Sequence, residues 1–189
     1  MIEYIIIFAV LLTVYLIFTY NRLVSLRESV RNDLKQIDIQ LDRRYKVFES
    51  LISAVKKYMD YEQTVLKDVV SLRAQAQSAR ESGDEANRIA SENAISKIFS
   101  GINVVMEAYP ELKANQNVMQ LQEEIVSTEN KLSFAKQAYN DGTERFNGLI
   151  LQFPINFIIS LFGDQFKPFV YWQLAEGETK QKDDYIARM

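Results

Sequence analysis

Residues 4–21 read YIIIFAVLLTVYLIFTYN and contain no charged side chain. A helix needs about 20 apolar residues to cross the hydrocarbon core of a bilayer, and aromatic residues at both ends suit its interfaces with water. A soluble core helix would carry a polar face, and a signal peptide would carry a basic start and a cleavage site. We therefore predict that residues 1–21 are a transmembrane anchor. Its lipid-facing side chains include Tyr4, Phe8, Leu12, Tyr15, Phe18 and Tyr20.

Positive charge follows this stretch on one side only. Arg22, Arg27, Arg31 and Lys35 come shortly after it, and no Lys or Arg precedes it. Because basic residues accumulate on the cytoplasmic side of a membrane helix, we predict that the N-terminus lies outside and residues 22–189 lie in the cytoplasm.

The composition excludes several classes of function. The chain has 189 residues, of which 48% are hydrophobic, so it can bury an ordinary core. It has no His and no Cys, which rules out a Ser-His-Asp triad, a Cys-His pair and the usual zinc sites. A net charge of −3 argues against nucleic acid as a partner. We expect no enzymatic activity, no metal and no cofactor.

Beyond the anchor, apolar residues recur in steps of three and four, as on one face of an α-helix. They are Val30, Leu34, Ile37, Leu41, Tyr45, Phe48, Ile52, Val55 and Met59. No Gly or Pro precedes Gly83, so this amphipathic helix is expected to continue the anchor without a break.

Other signals divide the rest of the chain into further helices. Asp60 and Ser82 each stand three residues before Gln or Glu, the spacing of a capping box, and Gly83 favours a turn. Pro110 ends one helix and suits the first turn of the next. The predicted helices beyond the anchor cover residues 22–58, 61–81, 85–108 and 111–152.

These helix lengths predict the fold. The first and last helices are nearly twice as long as the middle two, and short connections make consecutive helices antiparallel. The predicted fold is therefore all-α, an N-terminal transmembrane helix that continues into an elongated antiparallel four-helix bundle over residues 22–152. Near the membrane only the first and fourth helices would be present.

Two helices alone cannot enclose all of their apolar side chains. We therefore expect the membrane-proximal part to present a surface to other subunits in a homo-oligomer, or alternatively to another membrane protein. The predicted surface consists of Leu23, Leu26, Val30, Leu34, Phe134, Tyr139, Phe146 and Ile150.

After the fourth helix comes FPINFIISLFG, residues 153–163, which carries no charge and is too short to span a bilayer. Two interpretations stay open, an interfacial segment and a short helix that covers the end of the bundle. The candidate lipid-contacting residues are Phe153, Phe157, Ile158, Leu161 and Phe162. Residues 164–189 are predicted to be an irregular, partly disordered tail.

The first helix and the antiparallel fourth helix also carry polar residues with two possible roles. They form either a partly buried network that fixes register or binds a small ligand, or ordinary solvated helix faces. The residues concerned are Asp38, Arg43, Arg44, Glu129, Asn130 and Asn140.

Five motifs in a fixed order resemble those of the LemA family. They are QIDIQLDRR at 36–44, YPELKAN at 109–115, STEN at 127–130, AYND at 138–141 and FPIN at 153–156. The resemblance implies a protein of the bacterial inner membrane with a single N-terminal membrane helix, which carries an elongated helical bundle. It also implies that the N-terminus lies outside. Relatives implicated in magnetosome membrane formation imply a role in organising membranes.

Two functional hypotheses follow. In the first, the chain self-associates, contacts membrane lipids and organises the membrane or scaffolds proteins on its cytoplasmic face. In the second, it is an accessory subunit that regulates another membrane protein.

Overall fold

The computed structural model describes residues 1–55, 63–107, 109, 115–160 and 163–173, and these contain helices and no strand. The all-α class predicted from the sequence is thereby confirmed. The α-helices are α1 Ile2–Val55, α2 Gln63–Ser82, α3 Glu85–Glu107, α4 Gln116–Leu151 and α5 Ile155–Ser160, followed by the 3₁₀ helix Gly163–Phe166. The predicted signals at Met59, Asp60 and Pro110 lie outside the described residues.

The N-terminal part of α1 is apolar and almost entirely exposed, as in a helix that could anchor the chain in a membrane. It is the one helix among the described residues that is long and apolar enough to span a bilayer. Phe8 is 67% and Phe18 71% exposed, and Tyr4, Leu12 and Tyr15 are also exposed, whereas Tyr20 is half-buried. The hydroxyl of Thr13 donates to the carbonyl of Ala9 at 2.8 Å, so it presents no unsatisfied donor to lipid.

The turn between α2 and α3 is built from two adjacent residues. Gly83 has a φ of 75°, which glycine adopts without strain, and its N–H donates to the carbonyl of Arg80. The N–H of Asp84 donates to the carbonyl of Ala79, which completes a Schellman motif. The side chain of Asp84 then accepts from the N–H of Asn87 at 3.1 Å and caps α3.

The start of α3 at Glu85 agrees with the prediction, but its capping residue differs. Asp84, not Ser82, caps α3, because the Ser82 hydroxyl donates backward to the carbonyl of Ala79. The described helix α4 starts at Gln116, where the Asn115 side chain accepts from the N–H of Asn117 at 3.0 Å, and the predicted start at residue 111 lies outside the described residues.

The chain divides into two compact units, and each is described by itself. Unit 1 comprises Met1–Ile39 and Leu132–Tyr171, and unit 2 comprises Gln40–Lys131 and Trp172–Met189. The boundaries fall inside α1 and α4, whereas the sequence suggested a boundary at the end of the anchor. Residues 174–189 of the predicted tail lie outside the described residues.

Unit 2 has one hydrophobic core to which four helices contribute. Its members are Val47, Phe48, Leu51, Ile52 and Val55 from α1, Val69 from α2, Ile95 and Phe99 from α3, and Val118 and Ile125 from α4. The rings of Phe48 and Phe99 stack with centroids 3.7 Å apart. In α1 the side chains that pack here follow the helical spacing predicted from the sequence.

In unit 1, α1 and α4 approach closely at a glycine. A Cβ on Gly142 would meet Asp33 Oδ2 at 3.1 Å and Val30 Cγ2 at 3.3 Å, closer than ordinary van der Waals contact. Val30 is fully buried beside this contact. The absence of a side chain at position 142 therefore lets the two helices pack tightly in unit 1.

A segment after the 3₁₀ helix covers α4 in unit 1. The Asn147 side chain accepts from the N–H of Phe169 at 2.9 Å and donates to its carbonyl at 2.8 Å. The hydroxyl of Tyr139 donates to the carbonyl of Val170 at 2.7 Å, and the rings of Phe146 and Phe169 meet edge to face at 5.2 Å. Residues 167–171, which have no regular secondary structure, therefore pack against α4 in unit 1 and form the covering segment.

This covering segment changes the predicted oligomer surface. Leu23, Val30, Tyr139, Phe146 and Ile150 are each at most 5% exposed, so another subunit cannot reach them. Leu26 and Leu34 are half-buried, and Phe134 stays 70% exposed. The expectation of surplus apolar surface counted two helices and did not include the covering segment at residues 167–171.

The environment of Asp33 predicts a pH dependence of stability. Burial raises the pKa of this carboxyl above 3.8, and the positive charge of Arg145 opposes the shift. The folded state then binds more protons than the unfolded state between 3.8 and the raised pKa, so the free energy of unfolding falls as pH rises through that window. We expect Asp33→Asn to raise the melting temperature of the full chain in detergent at pH 7, and to lose this advantage below pH 3.8.

Glu123→Gln, at an exposed position in unit 2, is the matched control and should leave the melting temperature unchanged. A lower melting temperature for Asp33→Asn at pH 7 would mean that attraction to Arg145 outweighs the cost of burying the charge.

Candidate functional site

The most buried charged group of unit 2 is Arg44 on α1, whose side chain is 2% exposed. Its Nη2 donates to Glu92 Oε2 at 3.1 Å, and its Nη1 donates to Ser96 Oγ at 2.8 Å. Its guanidinium carbon lies 5.1 Å from the centroid of the Phe99 ring. Three side chains of α3 therefore surround one guanidinium, with both hydrogen bonding and cation–π attraction.

A third helix contributes to the same cluster. Glu129 on α4 accepts from Arg44 Nη1 at 3.5 Å, and its side chain is 43% exposed. Glu92 and Ser96 are one turn apart on α3, and the Ser96 hydroxyl itself donates to the carbonyl of Glu92 at 3.0 Å. Arg44 thus connects α1, α3 and α4, which suits the rigid, multi-donor guanidinium better than an ammonium group.

The space beside Arg44 limits what the cluster can bind. The cavity measures about 30 Å³ and is lined in part by Tyr45, Arg73 and Glu92. That volume holds about one water molecule, well below the 300–1,000 Å³ typical of small-molecule sites. Within the described ranges, no group of three His, Cys, Asp or Glu residues is placed to hold a metal ion. The geometry supports a structural junction between helices.

The predicted polar residues separate into distinct places. Arg44 and Glu129 meet, as described above, while Arg43 instead pairs with Glu124 at 3.0 Å on the exposed surface. Asn130 is exposed. The remaining two, Asp38 and Asn140, belong to unit 1.

Sequence reasoning missed the partners that α3 supplies. Glu92 and Ser96 have the four-residue spacing of one helix face, which is common and carries no specific signal. Arg88 was missed as well. It is 3% exposed, pairs with Glu85 at 3.2 Å and lies 5.5 Å from the ring of Trp172.

Unit 1 has its own cluster where the apolar part of α1 ends. The rings of Tyr20 and Phe166 meet edge to face at 5.9 Å, and Gln165 Nε2 donates to the Tyr20 hydroxyl at 3.3 Å. Arg27 donates to the carbonyl of Gln165 at 3.2 Å and lies over the Phe166 ring at 5.5 Å. The 3₁₀ helix is therefore fixed to α1 beside the end of the candidate membrane span.

The predicted interfacial segment is partly exposed. Phe153 is 85% and Phe157 69% exposed, whereas Ile155 and Ile158 are buried. Helix α5 packs against the 3₁₀ helix that contacts Tyr20, so these exposed rings belong to the same end of unit 1 as the span boundary. Of the five residues predicted to contact lipid, Ile158 faces the protein, and Leu161 and Phe162 lie outside the described residues.

Removal of the buried cation is expected to destabilise unit 2 strongly. Arg44→Met removes the guanidinium that contacts Glu92 at 3.1 Å, and the Glu92 side chain is only 13% exposed. Breaking a buried pair in this way typically costs about 3–5 kcal/mol. The loss in free energy of unfolding can be measured by denaturant titration, with unfolding followed by far-ultraviolet circular dichroism.

Arg43→Met is the matched control, because its pair with Glu124 is exposed and such pairs contribute about 0–1 kcal/mol. The double variant Arg44→Met with Glu92→Met should recover most of the stability. Equal losses for the two arginine variants would contradict a structural role for the buried cluster.

Comparison with known proteins gives one finding on relationship. The profile of the LemA family matches residues 33–184, well over half of the chain. None of the curated proteins matches. The matched region includes parts of both units and all five motifs identified in the sequence, and the chain therefore belongs to the LemA family.

Proposed function

We propose that the chain is a membrane-anchored, non-enzymatic protein that self-associates and organises the membrane or scaffolds proteins on its cytoplasmic face. The observation that carries this proposal is the continuity of α1. One uninterrupted helix, Ile2–Val55, contains the exposed apolar stretch at residues 4–21 and also the core residues Phe48 and Leu51. In this proposal, the helix that anchors the chain in the membrane also contributes side chains to the hydrophobic core of unit 2.

Unit 2 supports the four-helix arrangement within this proposal. α2 and α3 are joined by the two-residue turn at Gly83 and Asp84 and pack against each other. Parts of α1 and α4 supply the remaining sides of the same core. We infer an antiparallel four-helix bundle here, which displays polar faces suited to protein contacts.

The absence of enzymatic activity is likewise part of the proposal. Its support is that the most buried charged group of unit 2 is engaged by protein partners beside a cavity of about 30 Å³. A catalytic group needs room for a reacting molecule within hydrogen-bond reach. Arg44 has no such room beside it.

Self-association is supported by apolar side chains that unit 1 leaves exposed. Phe134 on α4 is 70% and Ile39 on α1 is 55% exposed, although the surrounding seam is buried. Exposed aromatic and aliphatic side chains of this size commonly mark protein contacts. Phe134, from the predicted surface, is therefore the side chain we assign to the contact between subunits.

The proposed orientation places the bundle in the cytoplasm. It is supported by the cations that follow residues 4–21 and by their absence before it. Since the chain has no Cys, single variants Ile2→Cys and Lys97→Cys each report one exposed position. In intact expressing cells, a membrane-impermeant maleimide should label position 2 and leave position 97 unlabelled until lysis. Labelling at position 97 in intact cells would show that the bundle lies outside the cytoplasm and would contradict the proposed orientation.

Self-association is expected to appear in the mass of the full chain. In lipid nanodiscs the protein should give a defined multiple of its 21.9 kDa subunit. Phe134→Ser should shift this mass toward the monomer, whereas Val70→Ser, at a comparably exposed apolar position on α2, should not. Mass photometry of both variants at equal concentration provides the measurement.

A monomer for the unmodified chain would exclude self-association. The exposed side chains would then fit the alternative role, that of an accessory subunit that docks on another membrane protein.

A further inference from the structure

Unit 1 contains an open groove of about 660 Å³ between α1 and α4. This volume falls within the 300–1,000 Å³ range of sites that bind small molecules. The residues that matter for recognition are two cations, two anions and two aliphatic side chains. They are Arg22, Arg145, Asp141, Glu144, Leu26 and Leu149.

The groove lies beside the end of the candidate membrane span. Arg22 is the first residue after the apolar stretch 4–21, and it lines the groove. On the facing helix, Leu149 is followed by Leu151 and Phe153, which are 77% and 85% exposed. A bilayer that surrounds residues 4–21 would therefore bring lipid headgroups to the level of the groove.

The charges in the groove are available to a ligand. Arg22, Asp141, Glu144 and Arg145 are all exposed. Arg145 Nε donates to the carbonyl of Asp141 at 3.1 Å, and its positive charge also acts on Asp33. Among the described residues, neither Arg22 nor the carboxylates of Asp141 and Glu144 are held in an ion pair.

We propose that this groove binds the headgroup of a zwitterionic phospholipid that carries a primary ammonium, of the phosphatidylethanolamine type. The guanidinium groups of Arg22 and Arg145 bind the phosphate, and the carboxylates of Asp141 and Glu144 accept hydrogen bonds from the ammonium. Leu26 and Leu149 contact the glycerol and the first methylenes of the acyl chains. The inference rests on the membrane anchorage in the proposed function.

The balance of charge distinguishes this ligand from other lipids. An anionic headgroup without an ammonium would satisfy the two arginines and leave two carboxylates in repulsion with it. A choline headgroup carries a quaternary ammonium, which has no N–H to donate to the carboxylates. Only a headgroup with both a phosphate and a primary ammonium complements all four charges.

Native mass spectrometry of the full chain in mild detergent tests this directly. The probes are dioleoyl phosphatidylethanolamine, dioleoyl phosphatidylcholine and dioleoyl phosphatidylglycerol, added separately at equal concentrations. We expect the ethanolamine lipid to bind roughly tenfold more tightly than either of the others, the difference that about 1.4 kcal/mol of charge-assisted hydrogen bonding produces. Equal binding of the ethanolamine and choline lipids, or tightest binding of the glycerol lipid, would overturn the proposal.

Two double variants test which side chains bind the ammonium and which bind the phosphate of the headgroup. Asp141→Asn with Glu144→Gln should reduce ethanolamine-lipid binding to the level of the choline lipid. Arg22→Gln with Arg145→Gln should weaken both lipids by roughly tenfold. Lys35→Gln and Glu123→Gln, exposed positions outside the groove, each remove one charge of the corresponding sign and serve as controls that should change nothing. If the carboxylate variant keeps the preference for ethanolamine, the proposal fails.

Two further readouts separate lipid recognition from its alternatives. Water-soluble glycerophosphoethanolamine should bind far more weakly than the intact lipid, and equal affinity would refute a lipid as the occupant. The mass of the assembly reports self-association independently. A monomer with the ethanolamine preference would overturn the proposed self-association alone, and an oligomer without the preference would overturn the groove assignment alone.

Discussion

A helix that could span a bilayer must satisfy its backbone N–H and C=O groups within itself, and the structure depends on the way the candidate span in α1 meets this constraint. Because neither Gly nor Pro interrupts residues 1–82, helical hydrogen bonding continues from the apolar stretch into the polar half of the helix. A continuous helix also has a continuous register. The face that is buried at one point of α1 therefore determines which residues are buried one heptad further along.

The burial of α1 follows this register in steps of seven. Leu23, Val30, Ile37, Arg44 and Leu51 are each at most 2% exposed. The same interval recurs on α4, where Val118, Ile125, Leu132, Tyr139 and Phe146 are buried. Within each unit, such spacing is typical of helices that pack side by side in the manner of a coiled coil. Arg44 is the exception in chemistry, since it occupies a seam position that every neighbouring heptad fills with an aliphatic residue.

A cation at a seam position costs several kcal/mol of desolvation, so its partners must offset that cost. Glu92 and Ser96 do so from α3 at 3.1 and 2.8 Å, and the Phe99 ring adds a weaker attraction. If α1 shifted along its neighbours, an aliphatic side chain at this position would still be buried. Arg44 would lose its hydrogen bonds to Glu92 and Ser96. A polar residue at a single seam position is a known means of fixing register.

Features that depend on residues close together in the sequence could be predicted, whereas contacts between distant residues could not. The helices, the anchor and the seam follow from local periodicity, and Val30, Ile37 and Phe48 were identified from spacing alone. The partners of Arg44 were not, because α3 brings Glu92 and Ser96 to it through tertiary packing. The hydrogen bonds of the covering segment were not predicted for a related reason. Tyr139 and Asn147 bind main-chain atoms of residues 169 and 170, and a main-chain partner leaves no mark on the sequence.

The covering segment also decides which surface unit 1 leaves to other molecules. Two helices alone would expose Tyr139 and Phe146 along the seam, and association would then be driven by a broad apolar face. With residues 169 and 170 packed over them, that face is buried within the chain itself. Among the described residues of unit 1, the large apolar side chains that stay exposed belong to the apolar stretch of α1 and to a small number of other positions, which are Ile39, Phe134, Leu151, Phe153, Phe157, Val170 and Tyr171. In our proposal, the charged groove beside the apolar stretch supplies what apolar packing cannot, discrimination between one headgroup and another.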